Sequence, residues 1–280
     1  MLVGLLGGMV VVATAVGLWR IVRRSHDRST VASIALTAQV QRRRKRLAEP
    51  VLRLVPGGDQ FTKLGGVPDL PPDTSPPMGA TGPLAFLAQV DLASARAAGG
   101  PEWLPSEGRI YFFYAPFRHG FADVVQVVYS LGDSGGIAPA STLAPPYRER
   151  RADLSPAMSC PSFEWLGVDV ADLARVADEI CEDEDGRPTH KIGGYPDELQ
   201  DEQMSLSCEL IARGLDPDGV HETSPAIERA TRDWRLLLQM DSDPDLKMSF
   251  GDGGRLYIFV KRSDARNGVF SRTVAIWQST

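Results

Sequence analysis

Residues 63–69 read KLGGVPD and residues 191–197 read KIGGYPD. A Lys-x-Gly-Gly-x-Pro-Asp written twice in one chain asks whether the rest of the sequence repeats with it. It does, and in order. After the first copy come LAQVD (87–91), GRIYFF (108–113) and VVQVVYS (124–130). After the second come LLQMD (237–241), GRLYIF (254–259) and TVAIWQS (273–279). Four matched blocks in one order mark an internal duplication, which predicts two β-rich halves related by a pseudo-two-fold and sharing one core. Repeat one runs over about 60–131 and repeat two over about 188–280. The motif itself reads as a turn, because glycine accepts positive φ and the residue before proline is held extended. A phosphate cradle would need the glycines to open a helix, with Lys-Ser/Thr following; the first copy runs into proline-rich loop instead.

The blocks also set the fold class. PLAFLAQVD (83–91), GRIYFFYAP (108–116), ADVVQVVYS (122–130), RLLLQMD (235–241), GRLYIFVKR (254–262) and SRTVAIWQS (271–279) are rich in β-branched and aromatic residues and predict strands. Helical spacing marks 169–182, 196–215 and 224–234, so the helices fall mostly inside the second half. The expectation is a β-rich α+β domain over 51–280, duplicated, with helices inserted in its second half. In period two, Gln89 and Asp91 share one face of their strand, and Gln239 and Asp241 share the matching face; the opposite faces are apolar. Both strands are therefore expected to be buried on both sides, with each glutamine hydrogen-bonded.

The N-terminal part has a different character. Nineteen residues from Met1 to Trp19 carry no charged side chain, about 28 Å of helix against a bilayer core of about 30 Å. The cations follow the run: Arg20, Arg23, Arg24, Arg28, then RRRKR at 42–46. The positive-inside rule then predicts a single-pass anchor over 1–23, with the N-terminus outside and the bulk of the chain at the cytoplasmic face of the plasma membrane. Residues 24–50 read as a basic juxtamembrane helical stalk ending near Glu49, so Leu2–Trp19 and its basic flank would make the membrane the first partner. Residues 1–50 carry about +7 and residues 51–280 about −13. So acidic a body excludes nucleic acid as the default ligand, since phosphate neutralisation needs clustered cations. Cys160, Cys181 and Cys208, an odd and sparse set, read as buried apolar filler in a reducing compartment rather than as a disulfide framework.

KLGGVPDLPP, PLAFLAQVDL, HKIGGYPDELQ, LLLQMDSD and FGDGGRLYIFV together resemble the YwqG-like proteins, a bacterial family catalogued as a domain of unknown function. The resemblance covers roughly residues 51–277 and implies a β-rich α+β fold containing a duplication; it implies no reaction. Phe250 stands where that family often carries Trp, and the membrane anchor lies outside its domain.

The residues offer few chemical sites. Asp241, Asp243, Asp245 and Asp252 occupy positions 1, 3, 5 and 12 of a calcium-type loop, but Leu246 stands where such a loop needs glycine. The histidines are scattered and no Gly-x-Ser-x-Gly accompanies them. The duplication supplies Asp69/Asp197 and Asp91/Asp241 as paired carboxylates, which could hold a cation or serve as acid and base if they met across the pseudo-two-fold. The first expectation is thus a membrane-anchored module that binds a ligand or a protein partner between the halves, near Gln89, Asp91, His190, Asp197, Gln239 and Asp241, without a required cofactor. The competing expectation is a hydrolase that uses the acids with a divalent cation.

Overall fold

The computed structural model describes residues 36–58, 61–72, 74–79, 82–115, 125–132, 147–163, 165–168, 188–200, 203–219 and 224–279. The chain divides into two compact units, Met1–Leu47 with Ser162–Asp183 and Ala48–Pro161 with Glu184–Thr280. In the first, a helix α1 covers 36–46. Its Val40 and Leu47 pack with Phe163, Leu166 and Val168, and the Arg44 guanidinium lies 4.2 Å from the centre of the Phe163 ring. The helix does not reach Glu49, which already opens a strand. The predicted span over 1–23, the stalk up to residue 35 and the predicted helix over 169–182 lie outside the described residues. Among the described residues no helix is long and apolar enough to cross a membrane.

The second unit is built on one antiparallel sheet. Its strands are β1 (Glu49–Pro56), β2 (Lys63–Leu64), β5 (Ala85–Asp91), β6 (Arg109–Tyr114), β7 (Val125–Ser130), β8 (Arg150–Ser159), β9 (Lys191–Gly193), β10 (Trp234–Asp241), β11 (Arg255–Lys261) and β12 (Val274–Gln278). A small hairpin, β3 (Met78–Gly79) with β4 (Gly82–Pro83), stands apart. The ten strands lie in the order β12-β11-β10-β9-β1-β8-β2-β5-β6-β7. Read outward from the middle, β2-β5-β6-β7 is answered by β9-β10-β11-β12, as the duplicated blocks predict.

Strands β1 and β8 were not foreseen, and they join the halves. β1 precedes the first copy but pairs with β9 of the second, Arg53 opposite Lys191; β8 precedes the second but pairs with β2 of the first, Arg151 opposite Lys63. Carrying Arg53 onto Arg151 turns the observed pair Leu54–Leu154 into Ala152–Pro56, also observed, so the pseudo-two-fold passes between Val55 and Asp153. Even the irregularities repeat: the ladder slips between Phe86 and Ala88 and again between Leu236 and Leu238. Such bulges bend a strand and increase its twist. On the other side of β5 the Leu87 carbonyl accepts the Gly65 N–H at 2.8 Å, which continues the β2 ladder.

The two edges of the sheet come round towards each other. Tyr129 of β7 packs on Phe270, just ahead of β12, with ring centroids 5.4 Å apart. The interior holds the main core, among it Leu52, Leu64, Leu87, Phe112, Leu237, Ile258 and Phe270. Two outer clusters are again counterparts: Leu84, Phe86, Tyr111 and Phe113 on one half, Trp234, Leu236, Tyr257 and Phe259 on the other. The second is covered by α3 (Met204–Ala212), which with α4 (Pro225–Thr231) occupies the insertion between β9 and β10. Two short helices follow strands, α2 (Leu92–Ala97) capped by Asp91, and α5 (Arg262–Arg266).

Two expectations need correction. The helix predicted over 196–215 starts at Met204, not at Pro196. The Asp197 backbone is taken by Gln239, Arg255 and Tyr257, and the Leu199 N–H by the Gln278 carboxamide, so this stretch cannot enter a helical ladder. The sequence reads the cysteines as buried filler and not as a disulfide framework, yet Cys160 is disulfide-bonded; among the described residues Cys208 is free and buried, and burial pushes its thiol well up.

Candidate functional site

The Lys-x-Gly-Gly-x-Pro-Asp turns form twin polar networks. Both glycine pairs lie at positive φ, Gly65 at 61°, Gly66 at 72°, Gly193 at 78° and Gly194 at 70°. A Cβ on Gly65 would stand 2.2 Å from the Arg148 carbonyl oxygen, and one on Gly193 2.3 Å from Pro101, so no larger residue fits at either place. This fold-back returns the motif's Asp to its Lys. Lys63 Nζ lies 3.0 Å from Asp69 Oδ1, and Lys191 Nζ is paired with Asp197 Oδ1.

Each Gln is the clamp. The Asp69 N–H donates to Gln89 Oε1 at 2.9 Å and Gln89 Nε2 donates to Asp69 Oδ2 at 2.8 Å; Asp197 and Gln239 repeat both bonds at the same distances. The Tyr111 and Tyr257 hydroxyls donate to the Asp69 and Asp197 carbonyls at 2.9 and 2.6 Å. Gln89 is 2% exposed and Gln239 is fully buried, and their carboxamides bond inside their own loops. The next acid along each strand meets the arginine opposite: Asp91 with Arg109 at 3.9 Å, Asp241 with Arg255 at 3.0 Å. The two turns do not meet. β2 and β9 stand three strand steps apart in the sheet, about 14 Å.

Beside the second network the symmetry breaks. His190, 2% exposed, accepts the Asp241 N–H at Nδ1 at 3.3 Å, leaving its Nε2 3.1 Å from Asp243 Oδ2. Arg150 Nη2 donates to the same oxygen at 2.7 Å. Asp243 Oδ1 accepts the N–H groups of Asp245 and Leu246. Burial pushes the Asp243 carboxyl up, but the His190 and Arg150 bonds outweigh it and hold the group well below the usual carboxylate range. Asp241 goes the other way: burial raises it, and Arg255 compensates only in part. In the first half the counterpart of His190 is Thr62: the Leu54 N–H bonds the His190 carbonyl where its mate Ala152 bonds that of Thr62. Asp245 and Asp252 are exposed, and among the described residues no group of three or more His, Cys, Asp or Glu side chains is placed to hold a metal ion.

Among the described residues, open space lies between the edges β7 and β12. A cavity of about 630 Å³ is lined on one side by Val125, Gln126 and Val127 and on the other by Thr273, Val274 and Ala275. These stretches are counterparts, for Gln126 stands opposite Phe113 as Val274 stands opposite Phe259. The cavity therefore lies between equivalent strands of the two repeats, at the edges of the sheet whose middle is Val55 and Asp153. Phe270 lines it from the core side, Ile211 and Ala212 of α3 from the outer side, and Trp234, Lys261, Asp264 and Arg272 complete it. Glu209, buried on α3, braces that wall: it accepts from Trp234 Nε1 at 2.9 Å, Lys261 Nζ at 2.8 Å and Arg213 Nε at 2.8 Å. Burial works against its charge, but these three donors hold its carboxyl below the ordinary value.

Sequence reasoning named the twin networks and missed this cavity. Its residues are ordinary strand and loop types, and the one available signal, the match of TVA (273–275) to VVQ (124–126), is one residue out of the register that the strand pairs show. The fold and the site define a class: a duplicated β-domain whose two copies exchange their first strands and leave a cleft where the outer strands fail to pair. The chain belongs to the family described as a domain of unknown function, DUF1963, which matches residues 62–279 and so takes in both copies of the motif. No curated protein matches the sequence.

Proposed function

We propose that this chain is a membrane-tethered binding module whose ligand sits in the cavity between β7 and β12, and that within its family it is kin to the YwqG-like proteins. One observation carries the reading: the cavity, of the size range of small-molecule sites, is the place where both repeats contribute equivalent walls. The polar residues picked from the sequence support a scaffold role beside it, since Gln89, Asp197 and Gln239 fasten their own turns and His190 fastens Asp243.

The binding test uses anilinonaphthalene sulfonate, an amphipathic fluorophore, titrated onto the full chain. Wild type brightens the dye saturably, and Val127→Trp, which fills the cavity, abolishes that signal while the melting temperature holds. Undiminished dye binding by a folded Val127→Trp protein would remove the cavity as the ligand site. The metal-dependent hydrolase alternative is checked in the same protein, by whether calcium, magnesium or manganese raises its melting temperature.

Two signals bear on which side of the membrane the domain lies. The cations from Arg20 to Arg46 favour the cytoplasm, whereas the Cys160 disulfide belongs to oxidising surroundings. The proposal keeps the cytoplasmic side, because the charge bias adjoins the apolar run that sets orientation. A reporter fused after Thr280 decides: activity of a periplasmic reporter, with the cytoplasmic one silent, reverses the placement.

A further inference from the structure

We infer that the ligand of this cavity is an extended peptide segment, added as a strand between β7 and β12; the inference rests on the binding role proposed for that cavity. Among the described residues β7 pairs with β6 alone, and β12 with β11 alone. Each therefore keeps one edge without a ladder partner among those residues, and no backbone hydrogen bond among them joins the two strands. An edge of this kind is a template for another strand, since main-chain groups recognise main-chain groups whatever the side chains. Here two such edges face one space, so one inserted strand satisfies both.

The walls fix the partner's chemistry. Among the described residues all the pairings in the sheet are antiparallel and nine steps separate β7 from β12, so these two run in opposite senses; an inserted segment pairs antiparallel with one and parallel with the other. Its inward side chains meet Phe270, Val127 and Ala275, which pack with the interior core, and its outward ones pass beside Ile211 and Trp234 under α3. Apolar or β-branched residues suit both faces. The charged lining holds two cations, Lys261 and Arg272, against one acid, Asp264. Arg272 is 69% exposed and only loosely paired with Asp264, at 3.5 Å, so an acidic residue at that end of the segment is favoured. The walls run for three residues of β7 and for Val274, Ala275 and the preceding Thr273 on the other side, which suits an extended segment of about three to five residues.

The probe is a capped peptide of alternating valine and threonine ending in one glutamate, titrated calorimetrically onto the full-length protein in detergent. It is expected to bind, to displace the bound dye, and to bind about tenfold more weakly or worse when alternate amides are N-methylated, since that removes the donors and little else. Arg272→Ala should weaken the glutamate peptide severalfold more than a glutamine version; equal weakening of the two overturns the acidic preference. Equal affinity for the methylated peptide overturns strand addition and leaves the cavity as a site. Binding of the dye with none of the peptide does the same. Failure of both removes the binding reading together with this one.

Discussion

At the scale of single residues, the duplicated polar positions and the unduplicated ones do different work. Lys63, Asp69, Gln89 and Tyr111 recur as Lys191, Asp197, Gln239 and Tyr257, and in both places they close a turn that carries two left-handed glycines. A buried amide costs about 1–3 kcal/mol when left unpaired, which is why each glutamine spends its donors and acceptor on its own loop. His190, Asp243 and Arg150 belong to the second half alone, and they make stability sensitive to acid. Asp243 has a folded pKa below its unfolded value of about 3.9, so its ion pairing stabilises the fold in full above about pH 4 and is lost as the pH falls through the lower, folded value. Asp243→Asn should therefore be less stable than wild type at pH 7 and should lose less stability on acidification. Urea denaturation between about pH 6 and pH 2 measures both. An equally steep acid loss in the variant would place the sensitivity at another carboxylate.

At the scale of elements, the second half's insertion determines how the two sheet edges differ. The first half's outer cluster is completed by the loop residues Leu70 and Leu84; the second half lays α3 over Trp234, Leu236, Tyr257 and Phe259. Glu209 is the polar pin of that layer, buried among two cations and an indole N–H. Lys261 and Arg213 keep access to water, so Glu209→Ala does not strand a bare buried charge; the expected loss is about 1–3 kcal/mol from the charge-assisted bonds. Because Trp234 loses its acceptor, its fluorescence should change in the folded variant. A stability change below about 0.5 kcal/mol would mean that α3 is held by its apolar face alone.

At the scale of the whole molecule, the exchange of β1 and β8 makes the repeats interdependent. Each copy lends its first strand to the other, so neither can complete its part of the sheet alone. Residues 51–131 and 147–280 expressed separately should show no cooperative unfolding, and co-expressed they should copurify; a cooperative melt from either fragment would make the copies independent domains. The sequence by itself determined the duplication, the β-rich α+β class, the paired turns and the double burial of Gln89 and Gln239, because glycine, proline and period-two alternation act locally and leave local marks. It could not reveal β1 or β8: EPVLRLVP carries two prolines, RRADLSPAMS two arginines and a proline, and such strands are held by their neighbours rather than by propensity. Nor could it show that Asp69 and Asp197 stay apart, or that Val125–Val127 and Thr273–Ala275 face one cavity. Those facts depend on strand order, register and the bend at two bulges, and these are fixed only when residues far apart in the chain pair.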